Sequence, residues 1–136
     1  MRRAVLVLVI GLLTTSALLI IREGTERQAL IAGAALGAVG LPLLILSRLQ
    51  LGRAFSVTPK ATTLVTSGVY SRIPHPMYAF LDLALLGIVI VLRQQWLIAI
   101  WLGLVVVHAW AARREARALE RAFGEAYRTY RAHAWW

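Results

Sequence analysis

The sequence contains no cysteine, which excludes disulfides, thiolate metal sites and cysteine nucleophiles. Acidic residues are also scarce: there are six, with three histidines, and their spacing matches no zinc or calcium cage. Charged residues make up 15% of the chain, against roughly a quarter in a typical soluble domain. We therefore expect no metal site, and the low charge indicates a chain that is not surrounded by water.

Apolar residues take the place of the missing charges, at 60% of the chain with a mean hydropathy of +0.70. They form four runs, at residues 4–21, 29–46, 77–92 and 96–112. A helix that crosses a membrane needs about 20 predominantly apolar residues, and these runs approach that length. The sequence predicts a single domain that is an all-α, polytopic integral membrane bundle with about four transmembrane helices.

The N-terminal run also fits a signal peptide, because Arg2 and Arg3 precede it. However, it is about 18 residues long, which exceeds a usual signal core, and no clear small-residue cleavage site follows it. These features favour a retained span. In the second run, Gly33 and Gly37 are four residues apart and should form a smooth face for helix packing, within the chain or in an oligomer.

Positive charge is distributed unevenly around these spans, and the net charge is +9. Twelve of the fifteen basic residues fall before the first run, between the second and third, or after the fourth. Basic loops are usually cytoplasmic, so both termini should lie on the cytoplasmic side of the inner membrane. We also expect a C-terminal amphipathic helix over residues 113–131 on this side. Anionic lipid headgroups account for this charge, and no nucleic-acid partner is expected.

The unusual residues are concentrated on this cytoplasmic side. About 30 residues separate the second and third runs, which is long for a mere connector and favours a functional loop. Within the spans, Asp82 and His108 are the exceptions to an apolar composition. Asp82 is costly in lipid, so we expect it to pair with Arg53 or Arg72.

Three blocks of sequence form an ordered pattern around the third and fourth runs. They are L-G-R-A-F-S-V at 51–57, L-V-T-S-G-V-Y-S-R-I-P-H-P-M-Y at 64–78, and Glu115 and Leu119 followed by F-G-E-A-Y at 123–127 and Tyr130. The set resembles the isoprenylcysteine carboxyl methyltransferase family, and the phospholipid methyltransferases share the arrangement. Two positions depart from the pattern: Pro74 replaces an arginine and Ala116 replaces a second glutamate.

The resemblance implies methyl transfer from S-adenosylmethionine to a lipophilic acceptor, either a prenylcysteine-like carboxylate or a lipid, at the cytoplasmic face. It implies that a catalytic loop over residues 51–78 and the last helix close over the cofactor. The catalytic residues it suggests are Arg53, Arg72 and His75. The cofactor-binding residues it suggests are Gly68, Tyr70, His75, Pro76, Tyr78, Glu115 and Leu119.

The chemistry of these residues is compatible with the cofactor. Glu115 can accept hydrogen bonds from a ribose diol or an ammonium group, and His75 can donate and accept. On a helix that continues from the fourth span, His108 and Glu115 share one stripe. A carboxylate acceptor needs no base, whereas an amine acceptor does, and His75, His108 and the acids are the candidates.

Two other classes of protein explain part of the sequence. A non-enzymatic membrane scaffold or subunit, binding a partner or anionic lipid through its basic C-terminal helix, accounts for the charge and hydropathy. It does not account for the three ordered blocks. A small transporter is disfavoured because the spans are nearly free of polar residues.

Overall fold

The computed structural model of the protein describes residues 2–52 and 64–134, with side chains from residue 4 onward. Helices dominate both ranges, and no strand occurs within them. The helices are α1 (Arg2–Glu23), α2 (Glu26–Leu51), α3 (Pro76–Leu92), α4 (Trp96–Phe123) and α5 (Glu125–His133). A 3₁₀ turn at Gly68–Ser71 precedes α3. The predicted all-α class is confirmed.

Three of the helices, α1, α2 and α4, are long and apolar enough to cross a membrane. The fourth apolar helix, α3, is shorter at 17 residues, which is about 25 Å at 1.5 Å per residue. Large apolar side chains of all four helices point outward, including Leu8, Leu30, Ile88 and Val106. An exposed apolar surface of this extent suits contact with lipid. The bundle is therefore that of an integral membrane protein.

The charged C-terminal segment differs in detail from the sequence-based expectation. Residues 113–123 continue α4 as one helix of 28 residues, so the fourth span and the first part of the charged helix are the same element. Gly124, with φ of 52°, ends α4, and α5 follows directly. Because α4 is continuous, residues of its charged half keep a fixed register relative to the span below them.

The turns between α1 and α2 and between α3 and α4 lie at the same end of the bundle. The Arg93 guanidinium donates a hydrogen bond to the Ile21 carbonyl at 3.2 Å. Thr25 and Gln28 form a capping box that starts α2. At the opposite end, the Tyr130 hydroxyl of α5 donates to the Tyr70 carbonyl at 2.6 Å. The two ends thus carry different groups of residues, and the sequence motifs meet at the second end.

The most extensive helix pair is formed by α2 and α3, which approach through glycines. A Cβ atom on Gly87 would lie 2.6 Å from the Gly33 carbonyl oxygen, and one on Gly40 would lie 2.9 Å from the Ala84 amide nitrogen. By contrast, a Cβ on Gly37 would meet nothing within 4 Å. The predicted packing face therefore exists, but Gly33 and Gly40 form it, and the missing side chain of Gly37 is not needed for the approach.

Candidate active site

His75 and Glu115 meet at the end of the bundle where the sequence motifs converge. His75 is the N-cap residue of α3, and Pro76 occupies the first helical position, where its lack of an N–H has no cost. The charged half of α4 carries Glu115 to this point, with its Oε2 atom 3.4 Å from Nδ1 of His75. The side chains are 12% and 37% exposed, so the pair is partly shielded from solvent.

A small cleft of about 70 Å³ surrounds this pair. Four of the predicted cofactor-binding residues line it: Tyr70, His75, Tyr78 and Glu115. Leu51, Pro74 and Met77 complete the lining. The cleft therefore combines aromatic rings, an imidazole and a carboxylate in one place.

Four further predicted site residues that the structure describes do not line the cleft. Pro76 is buried, and Leu119 is half-buried one turn beyond Glu115 on α4. Gly68 has φ of 60°, and a Cβ there would collide with the side chain of Gln50. Arg72 is exposed at the end of the 3₁₀ turn. Arg53 lies outside the described residues.

Two hydrogen bonds hold the 3₁₀ turn, and with it Tyr70, against the helices. The Val69 amide donates to Oε1 of Gln50 on α2 at 2.9 Å, and the Tyr130 hydroxyl of α5 donates to the Tyr70 carbonyl. Burial, with the nearby Glu115 carboxylate, raises the pKa of Tyr70 above its ordinary value. Burial also raises the pKa of Tyr130 to about 12. Both phenols are therefore neutral donors at physiological pH.

Neighbouring tyrosines on α5 give a matched test of this attachment. Tyr130→Phe should destabilise the protein by about 1 kcal/mol, because it removes a hydrogen bond and leaves the Tyr70 carbonyl with one donor fewer. Tyr127→Phe should be neutral or stabilising, because the buried Tyr127 hydroxyl has no hydrogen-bond partner among the described residues. Thermal unfolding in detergent measures both. Equal midpoints for the two variants would contradict the expectation.

A second polar pair lies deeper in the bundle. Oδ1 of Asp82 on α3 is 2.6 Å from Nδ1 of His108 on α4. The His108 ring stacks on Tyr78 with 5.3 Å between ring centroids, and Tyr78 in turn lies 6.3 Å from the His75 ring. The sequence predicts that Asp82 pairs with Arg53 or Arg72. The prediction of Arg72 is wrong, because the Asp82 carboxylate pairs with the imidazole of His108.

The sequence does contain the signal for this pair. Asp82 and His108 lie at nearly equal distances along the chain from Gln94, in the tight turn between α3 and α4. An antiparallel helical hairpin sets such residues at similar depth. Ionisable residues within membrane spans usually pair with one another. A pair across the hairpin gives both polar groups a partner and needs no residue of the loop.

A larger, mainly apolar cavity of about 520 Å³ adjoins the cleft. It lies between α1 and α4, and α3 contributes Asp82 and Leu86 to its lining. His75 and Tyr78 line both this cavity and the cleft, so the two spaces share a wall. Arg113 of α4 and Arg131 of α5 are its basic lining residues. An apolar space with a few polar groups at one end suits an amphiphilic molecule.

The fold and this site define a helical integral membrane protein with a polar cleft beside an apolar cavity. The family model of the phospholipid methyltransferases matches residues 28–126. The match spans α2, α3, α4 and the residues between them, and the chain belongs to the phospholipid methyltransferase family. It is thus a membrane methyltransferase by family. Comparisons with curated proteins and with solved structures give no match.

Proposed function

We propose that the protein transfers a methyl group from S-adenosylmethionine to a lipophilic acceptor at the cytoplasmic membrane face. The observation that carries the proposal is the contact of His75 with Glu115 in a cleft whose wall is shared with an apolar cavity. One space offers polar and aromatic groups for a cofactor, and the other offers an apolar surface for an acceptor.

The residues of the cleft fit the chemistry of the cofactor. Glu115 would accept hydrogen bonds from its ribose hydroxyls or ammonium group, and the imidazole of His75 would donate to its carboxylate. The ring of Tyr78 offers an aromatic face to a cationic centre. When bound, the cofactor supplies an electrophilic methyl group on a sulfonium. The contribution of the protein is then to position the acceptor and to exclude water.

The cavity favours an acceptor with an apolar tail and an anionic group. Leu6, Val9, Ile10 and Leu13 of α1 form an apolar wall within a membrane-spanning helix. Arg113 and Arg131 line the same cavity and supply positive charge. A phospholipid or a prenylcysteine-like carboxylate has this combination, and either would enter laterally from the bilayer.

We further propose that this site faces the cytoplasm, with both termini on that side of the inner membrane. Most of the basic residues whose side chains the structure describes belong to segments at the end that carries His75 and Glu115, as the positive-inside rule requires of a cytoplasmic face. Reporter fusions should give cytoplasmic signals at either terminus and external signals when inserted after Gly24 or Gln94. Signals of the same type at Gly24 and at the C-terminus would reject this topology.

Two measurements on detergent-purified protein test the proposed reaction. Calorimetry should detect binding of S-adenosylmethionine, and a radiolabelled methyl group should pass to a component of total membrane lipids or to prenylated peptides. Identification of the labelled product then gives the acceptor. Undetectable binding at millimolar cofactor would reject the proposal, and it would return the protein to the class of non-enzymatic membrane subunits.

A further inference from the structure

Asp82 and His108 form a polar pair that lines a mainly apolar cavity. The proposed binding of the cofactor does not involve this pair. Its side chains are 16% and 17% exposed, and both line the cavity of about 520 Å³. Ionisable residues are costly inside membrane-spanning helices and usually mark a functional site. The pair therefore calls for a chemical role beyond cofactor binding.

The hydrogen bond between the two side chains limits which nitrogen of His108 is available. When Asp82 is ionised, its carboxylate can only accept a hydrogen bond, so the facing Nδ1 of a neutral His108 carries the proton and the lone pair lies on Nε2. Nε2 has no hydrogen-bond partner within residues 2–52 and 64–134. Enzymes prepare a histidine as a general base in this way, with a carboxylate that orients the imidazole.

The position of the carboxylate is itself fixed by the packing of α3 on α4. The indole Nε1 of the buried Trp101 donates to the Asp82 backbone carbonyl at 2.8 Å. The stacked ring of Tyr78 covers His108 on the side toward His75 and Glu115. The imidazole is thus held beside the cofactor cleft and within the space assigned to the acceptor.

Other charged and titratable groups around His108 come from three elements. The wall contributed by α1 is apolar, and from residue 4 onward, where side chains are described, no charged residue of that helix lines the cavity. The groups that line the cavity with His108 are Asp82 and Tyr78 on α3, His75 at the start of α3, Arg113 on α4 and Arg131 on α5. Asp82 is the one carboxylate among them.

We propose that His108, oriented by Asp82, is the general base that removes a proton from the acceptor before methyl transfer. The step is a proton transfer: the N–H bond of an acceptor ammonium breaks, its electron pair stays on nitrogen, and the proton binds Nε2 of His108. The neutral amine then has the lone pair with which its nitrogen can attack the methyl group. This inference rests on the proposed function, and it implies a protonated acceptor, because a carboxylate has no proton to remove.

His108→Asn tests the base directly. The asparagine amide can still donate to Asp82, but it has no counterpart of Nε2. We expect turnover on the labelled acceptor to fall by about 10²- to 10⁴-fold, with cofactor affinity measured by calorimetry changed less than about twofold. His133→Asn is the matched control, because His133 is exposed on α5 and bonds the Thr129 carbonyl; its turnover should match the wild type.

Asp82→Asn tests whether Asp82 orients His108. The measurements below would not change if Asp82 had only a structural role. The amide oxygen can still accept from Nδ1, but the negative charge is lost. The acid limb of the pH–rate profile should move to lower pH, because the imidazolium loses its anionic neighbour. Histidine ¹⁵N NMR of the full chain in detergent, assigned with His108→Asn, should show the Nδ1–H tautomer.

Failure of the base and failure of the proposed function are distinguishable. Wild-type protein that binds no cofactor rejects the proposed function, and the inference falls with it. Wild-type protein that binds and turns over, with His108→Asn equally fast, rejects the base alone. Loss of cofactor binding in step with turnover in His108→Asn, or an Nε2–H tautomer in the wild type, would also overturn it by giving the pair a structural role.

Discussion

Glu115→Gln is expected to weaken binding of S-adenosylmethionine by roughly 10- to 100-fold while leaving the fold intact. Hydrogen bonds to a charged group contribute about 1.5–3 kcal/mol, and glutamine retains the shape of the side chain but not its charge. Glu115 is partly exposed at 37%, so its replacement leaves no large buried vacancy. Calorimetry on purified protein gives the affinity, and the thermal midpoint reports on the fold.

The same helix offers a matched control for this substitution. Glu120 is half exposed on α4, with its carboxylate 3.9 Å from Arg128, away from the cleft. Glu120→Gln should therefore bind the cofactor as the wild type does. If Glu115→Gln and Glu120→Gln have equal affinities, the cleft around His75 is not the cofactor site.

His75→Ala extends the experiment to the coupling between the two residues. Because Nδ1 of His75 lies 3.4 Å from Glu115, the two side chains act on the same region of a bound molecule. The double variant should lose less affinity than the two single losses combined, since residues in one network couple. Strictly additive losses would place the two residues at independent sites.

The meeting of His75 with Glu115 is expected from the family resemblance, and a local signal in the sequence accounts for the position of each residue. The prolines around His75 end the loop and start α3, and the uninterrupted helical pattern after residue 112 extends α4 beyond the membrane. The hairpin between α3 and α4 then brings both residues to the same end. The pairing of Asp82 with His108 depends instead on the register of that hairpin, which the charge of the basic loop does not indicate.

Helix packing shows a different limit of the sequence. The spacing of Gly33 and Gly37 predicts a smooth face, but any of several glycines on α2 is compatible with it. The rotation of α2 against α3 depends on side chains of both helices, and it puts Gly33 and Gly40 at the contact. The glycine spacing on α2 therefore predicts that close packing occurs, whereas the side chains of α3 determine which glycines are at the contact.

This rotation leads to the second large expected effect, a difference between two glycine-to-alanine substitutions one helical turn apart. A methyl group on Gly33 would collide with the backbone carbonyl of Gly87 and with the side chain of Val91. Backbone atoms cannot move aside independently, so α2 and α3 must separate along their whole contact. Overpacking of this kind costs typically 1–3 kcal/mol, and the rigid partner puts Gly33→Ala at the upper end.

Gly37→Ala is the control, because its methyl group would meet nothing within 4 Å. It should leave stability unchanged or raise it by up to about 1 kcal/mol through helix propensity. Thermal unfolding in detergent should therefore give a much lower midpoint for Gly33→Ala than for Gly37→Ala. Cofactor affinity should follow the same order, because α3 carries His75 at its start and any separation from α2 displaces it. Equal midpoints would show that α2 is rotated differently against α3.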